Sequence, residues 1–211
     1  MRGLEARVRA VLDRHLQPGS PRPIAVALSG GGDSLALTLI VDRWARDAGR
    51  PLVILTVDHR LQAAGADWTR ACADVARRLD RPSRALAWEG DKPATGLPAA
   101  ARAARHGLLA DAAREAGARV LLMGHTADDI LEAGRMRAAG ATTPDPRTWA
   151  PSPVWPNGRG LFVLRPLLGA GRAELRDWLR ARGETWIDDP ANLDPSYARS
   201  RARAQSAGGE E

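Results

Sequence analysis

A chain of 211 residues has room for one α/β domain with a proper core and a small appendage. Its single cysteine, Cys72, excludes an internal disulfide framework and any cysteine-rich zinc or iron–sulfur site. The net charge of +6 is carried almost wholly by arginine, whose guanidinium fork suits phosphate, so a polyanionic partner fits, as does a merely arginine-rich composition.

In chain order, an arginine-rich amphipathic helix is predicted over residues 4–15, followed by a strand over 24–28. A glycine-rich turn then leads into a helix over 34–48, broken by Gly49 and Pro51. Strands are predicted over 52–57, 83–88 and 119–123, with helices over 66–78, 99–116 and 127–139 between and after them. From 140 to 160 the chain is dense in proline and reads as one long loop. A short strand over 161–164 and a helix over 173–181 follow. Near-continuous apolar strands separated by helices predict a parallel sheet covered on both faces, with ligands at the carboxyl ends of the strands. The organisation expected is an N-terminal helix (1–19), a nucleotide domain (20–185) and a basic, partly disordered C-terminal segment (186–211). No apolar run approaches membrane-spanning length and the N-terminus is charged, so a soluble cytoplasmic protein is expected.

The turn after the first strand, Ser29-Gly30-Gly31-Gly32-Asp33-Ser34, holds the densest chemical information. A strand feeding a helix through three glycines brings backbone N–H groups and the positive end of a helix to one point, which suits an anion. Ser29 and Ser34 add hydroxyls, and Asp33 a carboxylate for magnesium. A Walker A loop would need a lysine here, and Lys92 is the single lysine of the chain. A dinucleotide fingerprint would need a different glycine spacing. SGGGDS instead resembles the PP-loop of the ATP pyrophosphatases, which cleave ATP between its α and β phosphates. The bland alternative is a strand–helix turn whose glycines serve only packing.

A second constellation, Gly124-His125-Thr126-Ala127-Asp128-Asp129-Ile130-Leu131-Glu132, follows the strand at 119–123. At the start of a helix, His125, Asp129 and Glu132 share one face. Two carboxylates beside an imidazole can hold magnesium or accept a proton from an amine. Asp128 reads as helix-start charge. Capping acids and a hydrogen-bonded histidine are the alternative reading. Arg102 and Arg105 lie one turn apart on the preceding helix, where arginines usually form a solvated face. The histidines at 15, 59, 106 and 125 make no recognisable metal cluster.

Taken together, SGGGDS, VDH, ARAARH, GHTADDILE, RPLL and DDPANLDPSYARSRAR resemble, in order and spacing, the N-terminal domain of the tRNA(Ile)-lysidine synthetases. The resemblance covers residues 20–203. It implies a PP-loop ATP pyrophosphatase fold, Rossmann-like and of the adenine nucleotide alpha hydrolase kind. It also implies a reaction: the C2 oxygen of a wobble cytidine in isoleucine tRNA attacks the α-phosphate of ATP. Free L-lysine then displaces AMP, with Mg2+ as cofactor. By the same resemblance Ser29, Gly30, Gly31, Gly32, Asp33, Ser34, Asp58, His59 and His125 would bind ATP. Asp33, Arg105, His125, Asp129 and Glu132 would be catalytic, Asp33 and Asp129 would hold the metal, and Arg165, Arg199 and Arg203 would contact tRNA. No membrane and no protein partner is implied.

The chain departs from the family at Ile130, where a glutamine is usual, and at Ala133, where a threonine is usual. Arg137-Ala138-Ala139-Gly140 replaces a glycine–serine stretch. Many members carry C-terminal domains that grip the acceptor stem, and weaker tRNA binding than theirs is expected here. Two alternatives stay open: an ATP pyrophosphatase with another tRNA or small-molecule acceptor, and an inactive ATP- or RNA-binding module. A thiolating member would need paired cysteines.

Overall fold

The computed structural model describes residues 3–140 and 145–188. Six strands form one sheet in the order β3-β2-β1-β4-β6-β5. They are β1 (Ile24–Ala27), β2 (Leu52–Asp58), β3 (Ser83–Ala87), β4 (Val120–Leu122), β5 (Trp149–Pro151) and β6 (Phe162–Leu164). Every neighbouring pair is parallel except β5 with β6. The helices are α1 (Leu4–His15), α2 (Gly32–Asp47), α3 (Gly65–Arg78), α4 (Leu97–Glu115), α5 (Ala127–Ala138) and α6 (Arg172–Arg180).

The central strands are apolar at successive positions because both their faces are covered. Ile24, Val26, Leu52 and Ile54 point into a core shared with α1, α2 and α6. Their in-between neighbours Ala25, Val53 and Leu55 point into a second core against Leu109, Ala110 and Ala113 of α4. This two-residue alternation is what a two-sided sheet demands. Helix α2 is buried from Ser34 through Asp42 because it is wedged between the sheet and the outer helices α1 and α6. Leu4, Val8 and Leu12 of α1 belong to the same core, and the buried Trp44 indole of α2 donates to Asp13 Oδ1 of α1 at 2.6 Å.

Helix boundaries follow local chemistry. Gly49 and Gly117, at φ +60° and +78°, end α2 and α4 in the left-handed region that glycine adopts without strain. Pro98 sits in the first turn of α4, where its missing N–H costs no bond.

The helix and strand positions agree with the sequence reading to within two residues at each end. The stretch 140–160 needs correction: it contains β5, an edge strand antiparallel to β6 with Trp149 opposite Leu164 and Pro151 opposite Phe162. Proline is tolerated at such an edge because only one side of the strand is bonded. The C-terminal segment expected to be disordered lies, from residue 189 on, outside the described residues.

Strand β1 pairs with β2 on one side and β4 on the other, so the sheet order reverses between β1 and β4. In sheets of this kind, the loops leaving the carboxyl ends of the two strands at such a reversal are where ligands bind. No helix among the described residues is long and apolar enough to cross a membrane.

Candidate active site

The loop Ser29–Ser34 leaves the carboxyl end of β1 and becomes the first turn of α2. Ser34 Oγ donates to Gly31 O at 2.9 Å, accepts from Ser29 N at 3.1 Å and lies 3.0 Å from Ser29 Oγ. The two hydroxyls therefore close the loop on itself. The α2 start carries no side-chain cap, so no side chain occupies its first-turn N–H groups, as an anion site requires. Gly30 sits at φ +87°, and a Cβ there would lie 2.5 Å from Ile187 Cδ1. Ile187 N in turn donates to Gly30 O at 3.0 Å. Because a trans peptide sets C=O and N–H in opposite directions, that bond also fixes the Gly31 N–H, turning it away from Ile187. The second loop meets the first at Gly124, where a Cβ would stand 3.1 Å from Ser34 N.

Acid groups converge on one guanidinium. Arg172, the first residue of α6, donates to Asp33 Oδ2 at 3.2 Å, to Asp129 Oδ1 at 3.1 Å and to Glu132 Oε1. Its backbone N–H donates to Asp128 Oδ2 at 2.9 Å, so Asp128 caps α6 rather than its own helix. Asp129 has two duties: Oδ1 faces Arg172, while Oδ2 accepts from Thr126 N at 2.8 Å and Thr126 Oγ1 at 3.0 Å, bracing the start of α5. Burial pushes the Asp33 carboxyl up, with Arg172 opposing and Asp129 adding to the rise. For Asp129 burial also acts upward, but Arg172 and the Thr126 N–H outweigh it and hold the carboxyl below its ordinary value. The sequence pattern starts this helix one residue later, at 173, and singles out nothing at Arg172.

Cationic groups gather on the other side of His125. Arg165, directly after β6, is only 7 % exposed and its Nη1 donates to Arg147 O at 2.9 Å. Arg102, Arg105 and Arg165 all act electrostatically on His125 and His106. Burial first pushes both imidazoles down to about 3; the arginines add to the fall, and at His125 Asp129 opposes it, so both are neutral at physiological pH. His125 Nδ1, His106 Nε2, His59 Nδ1 and Arg165 Nε are buried without a hydrogen-bond partner among the described residues. Buried polar atoms and like charges arranged this way suit an anionic ligand that would bond them.

A strand–glycine loop–helix at a sheet switch point, facing acids on one side and cations on the other, has counterparts among known proteins. Residues 4–207 match the PP-loop domain family. The chain belongs to the PP-loop domain family. Among relatives, it is 60 % identical over 201 residues to the tRNA(Ile)-lysidine synthase of Caulobacter vibrioides, covering 95 % of this chain and 49 % of that one. It is 42 % identical over 207 residues to the synthase of Hyphomonas neptunium, covering 94 % and 53 %. The chain thus spans about half the length of the curated relatives it matches. Among solved structures, a U34-tRNA thiolase from Methanococcus maripaludis superposes with a TM-score of 0.79 at 16 % identity, over 96 % of this chain and 71 % of that one. An FMN adenylyltransferase from Candida glabrata gives 0.56 at 14 % identity, over 86 % and 55 %. These two show a shared fold.

Within this PP-loop domain, Asp33, Asp129 and Glu132 meet at Arg172, and Arg105, His125 and Arg165 meet beside them. His59 lies edge-on to Trp88, with ring centroids 6.3 Å apart, and within electrostatic reach of Arg105. Asp58 turns toward its own loop, accepting from Arg60 N at 2.8 Å. Arg199 and Arg203 lie outside the described residues. Of the two departures from the family, Ile130 is 36 % exposed and Ala133 is buried.

Proposed function

We propose that this PP-loop domain is the adenylating part of a tRNA(Ile)-lysidine synthase, acting in the cytoplasm on ATP, L-lysine and an isoleucine tRNA with a cytidine at the wobble position. The observation that carries the reading is a single crevice holding anion-binding amides, an acid cluster and a cation cluster side by side. The identity to lysidine synthases over nearly the whole chain supports it.

The amide oxygen of cytosine is a poor leaving group until it carries a phosphoryl group. The loop N–H groups from Gly31 onward hold ATP by its phosphates. Arg105, Arg165 and His125, whose imidazole is neutral and can donate, offset charge that builds on the α-phosphate as C2–O attacks and pyrophosphate leaves. The amine of lysine then forms the C2–N bond as AMP departs with the oxygen. Asp129 and Glu132 attract the lysine ammonium, and a neighbouring carboxylate takes the proton that the amine sheds on attack.

Three carboxylates share one guanidinium here, so negative charge is in excess around Arg172. Asp33 and Asp129 therefore fit Mg2+, which takes one or two carboxylates and completes its shell with water and phosphate. When bound, the ion would neutralise phosphate charge. No group of three His, Cys, Asp or Glu among the described residues could hold a metal by itself, so the remaining ligands would come from phosphate and water.

Sulfur transfer is the neighbouring chemistry suggested by the thiolase fold. It finds no thiolate here, since Cys72 is the sole cysteine, is buried, and has its thiol pushed up to about 11 by burial.

The test is nucleoside mass spectrometry of tRNA incubated with ATP, lysine and the protein, together with AMP and pyrophosphate release. Pyrophosphate release is expected to depend on tRNA and AMP release on both tRNA and lysine, and Asp33→Ala is expected to abolish both with the fold intact. Pyrophosphate release at the wild-type rate from that variant would overturn the reading.

A further inference from the structure

The opposite edge of the sheet carries a second arginine cluster. Arg22 precedes β1, Arg119 precedes β4, Gly160 precedes β6, and Arg114 lies in the last turn of the antiparallel-running α4. Together with Arg159 they line an open cleft of about 600 Å³ at the amino ends of the strands. Most arginines elsewhere face acids: Arg7, Arg9, Arg78 and Arg84 each pair with a carboxylate. No carboxylate among the described residues pairs with Arg22, Arg114, Arg119 or Arg159.

The acids that could have neutralised the cleft are engaged. Asp111 accepts from Asn157 Nδ2 at 2.9 and 3.1 Å, and Glu115 pairs with Arg84. Arg114 Nη1 instead donates to Asn157 O at 2.9 Å, which ties the turn bearing Trp155 to the end of α4. Trp155 is 76 % exposed, and the Arg159 guanidinium lies 5.9 Å from its ring centroid. Four guanidinium groups with no carboxylate partner among the described residues, beside an exposed indole, combine the two features that hold a nucleic-acid strand: charge for phosphates and a flat face for a base.

We propose that this cleft binds the phosphate backbone of RNA at a distance from the reacting nucleotide, with an unstacked base resting on Trp155. An acidic protein would use the charge but has no need of the exposed indole. The inference rests on the RNA-modifying reading above, yet it concerns the opposite edge of the sheet and can fail alone.

The experiment is fluorescence anisotropy of labelled tRNA with the whole chain, titrated with salt, for wild type, for the triple variant Arg114→Gln/Arg119→Gln/Arg159→Gln, and for Trp155→Ala. All four side chains are solvent-exposed, and circular dichroism checks that each variant folds. The triple variant is expected to bind more weakly and to lower the slope of log K against log salt by about 2 to 3. Trp155→Ala is expected to weaken binding roughly tenfold with the slope unchanged. Unchanged affinity and slope in the triple variant, with tRNA- and lysine-dependent AMP release intact, would overturn the cleft and leave the modification reading standing. A wild-type chain that binds no tRNA overturns both. In a parallel titration of labelled poly-glutamate, loss of its binding in the triple variant without loss of tRNA binding overturns the RNA assignment in favour of an acidic protein.

Discussion

Arg172 carries the largest consequence of any single residue. Its guanidinium is the shared counter-ion of Asp33, Asp129 and Glu132, and Glu132 has a side chain only 5 % exposed. Removing one partner of a buried cluster leaves charges that water can no longer solvate. Arg172→Ala is therefore expected to destabilise the fold by about 3 kcal/mol and to abolish AMP release. Arg172→Lys restores the charge but not the fork, and is expected to recover part of the stability with little activity. Urea unfolding and pyrophosphate release, measured side by side, check both. Stability unchanged in Arg172→Ala would remove the guanidinium from its organising place. Sequence could not reveal this residue, because its partner Asp33 stands 139 positions away and Glu132 stands 40 away. The acids themselves were legible, since Asp129 and Glu132 share a face by helical spacing alone.

At the level of elements, α4 and the β4–α5 loop bring two neutral imidazoles into the interior. Burial, reinforced by the arginines nearby, holds His106 and His125 down to about 3. The unfolded chain binds those protons from about pH 6.5 downward, whereas the folded chain does not. Stability contributed by the neutral imidazoles is thus full above pH 6.5 and is lost as pH falls from there toward 3. Asp129, shifted downward, adds to the acid loss, while Asp33, shifted upward, opposes it. The urea midpoint is expected to fall steadily below pH 6.5. In His106→Leu, which removes a buried imidazole with an unbonded Nε2, that decline should be shallower and neutral-pH stability equal or higher. An acid limb identical to wild type would contradict the burial argument. Elements with strong periodicity, such as α1 and α3, were readable in the sequence because their packing follows their pattern. Strand β5 was not. Trp149-Ala150-Pro151 lies among prolines that signal a loop, and only its pairing with β6, a tertiary fact, makes it a strand.

The whole molecule is held by layers that share side chains across long stretches of sequence. Leu12 of α1 is fully buried in the core that contains Leu37 and Ile40 of α2 and Leu175 and Leu179 of α6. Leu12→Ala is expected to cost about 3 kcal/mol, lowering one cooperative transition seen alike by far-UV circular dichroism and tryptophan fluorescence. Two separated transitions would show α1 to be an independent unit. The same long connectivity bears on how the phosphate loop comes into being. Ser29–Ser34 precedes its partners by more than 130 residues: Gly30 O is bonded by Ile187 N and Asp33 by Arg172, while Arg78 and Glu184 pair across 106 residues. A chain emerging from its N-terminus makes the loop early and its surroundings late. Contacts of such high sequence separation form only after the intervening entropy has been lost. The proposed nucleotide cradle is accordingly a product of late folding, since the bonds that fix Gly30 and Asp33 come from residues more than 130 positions further on.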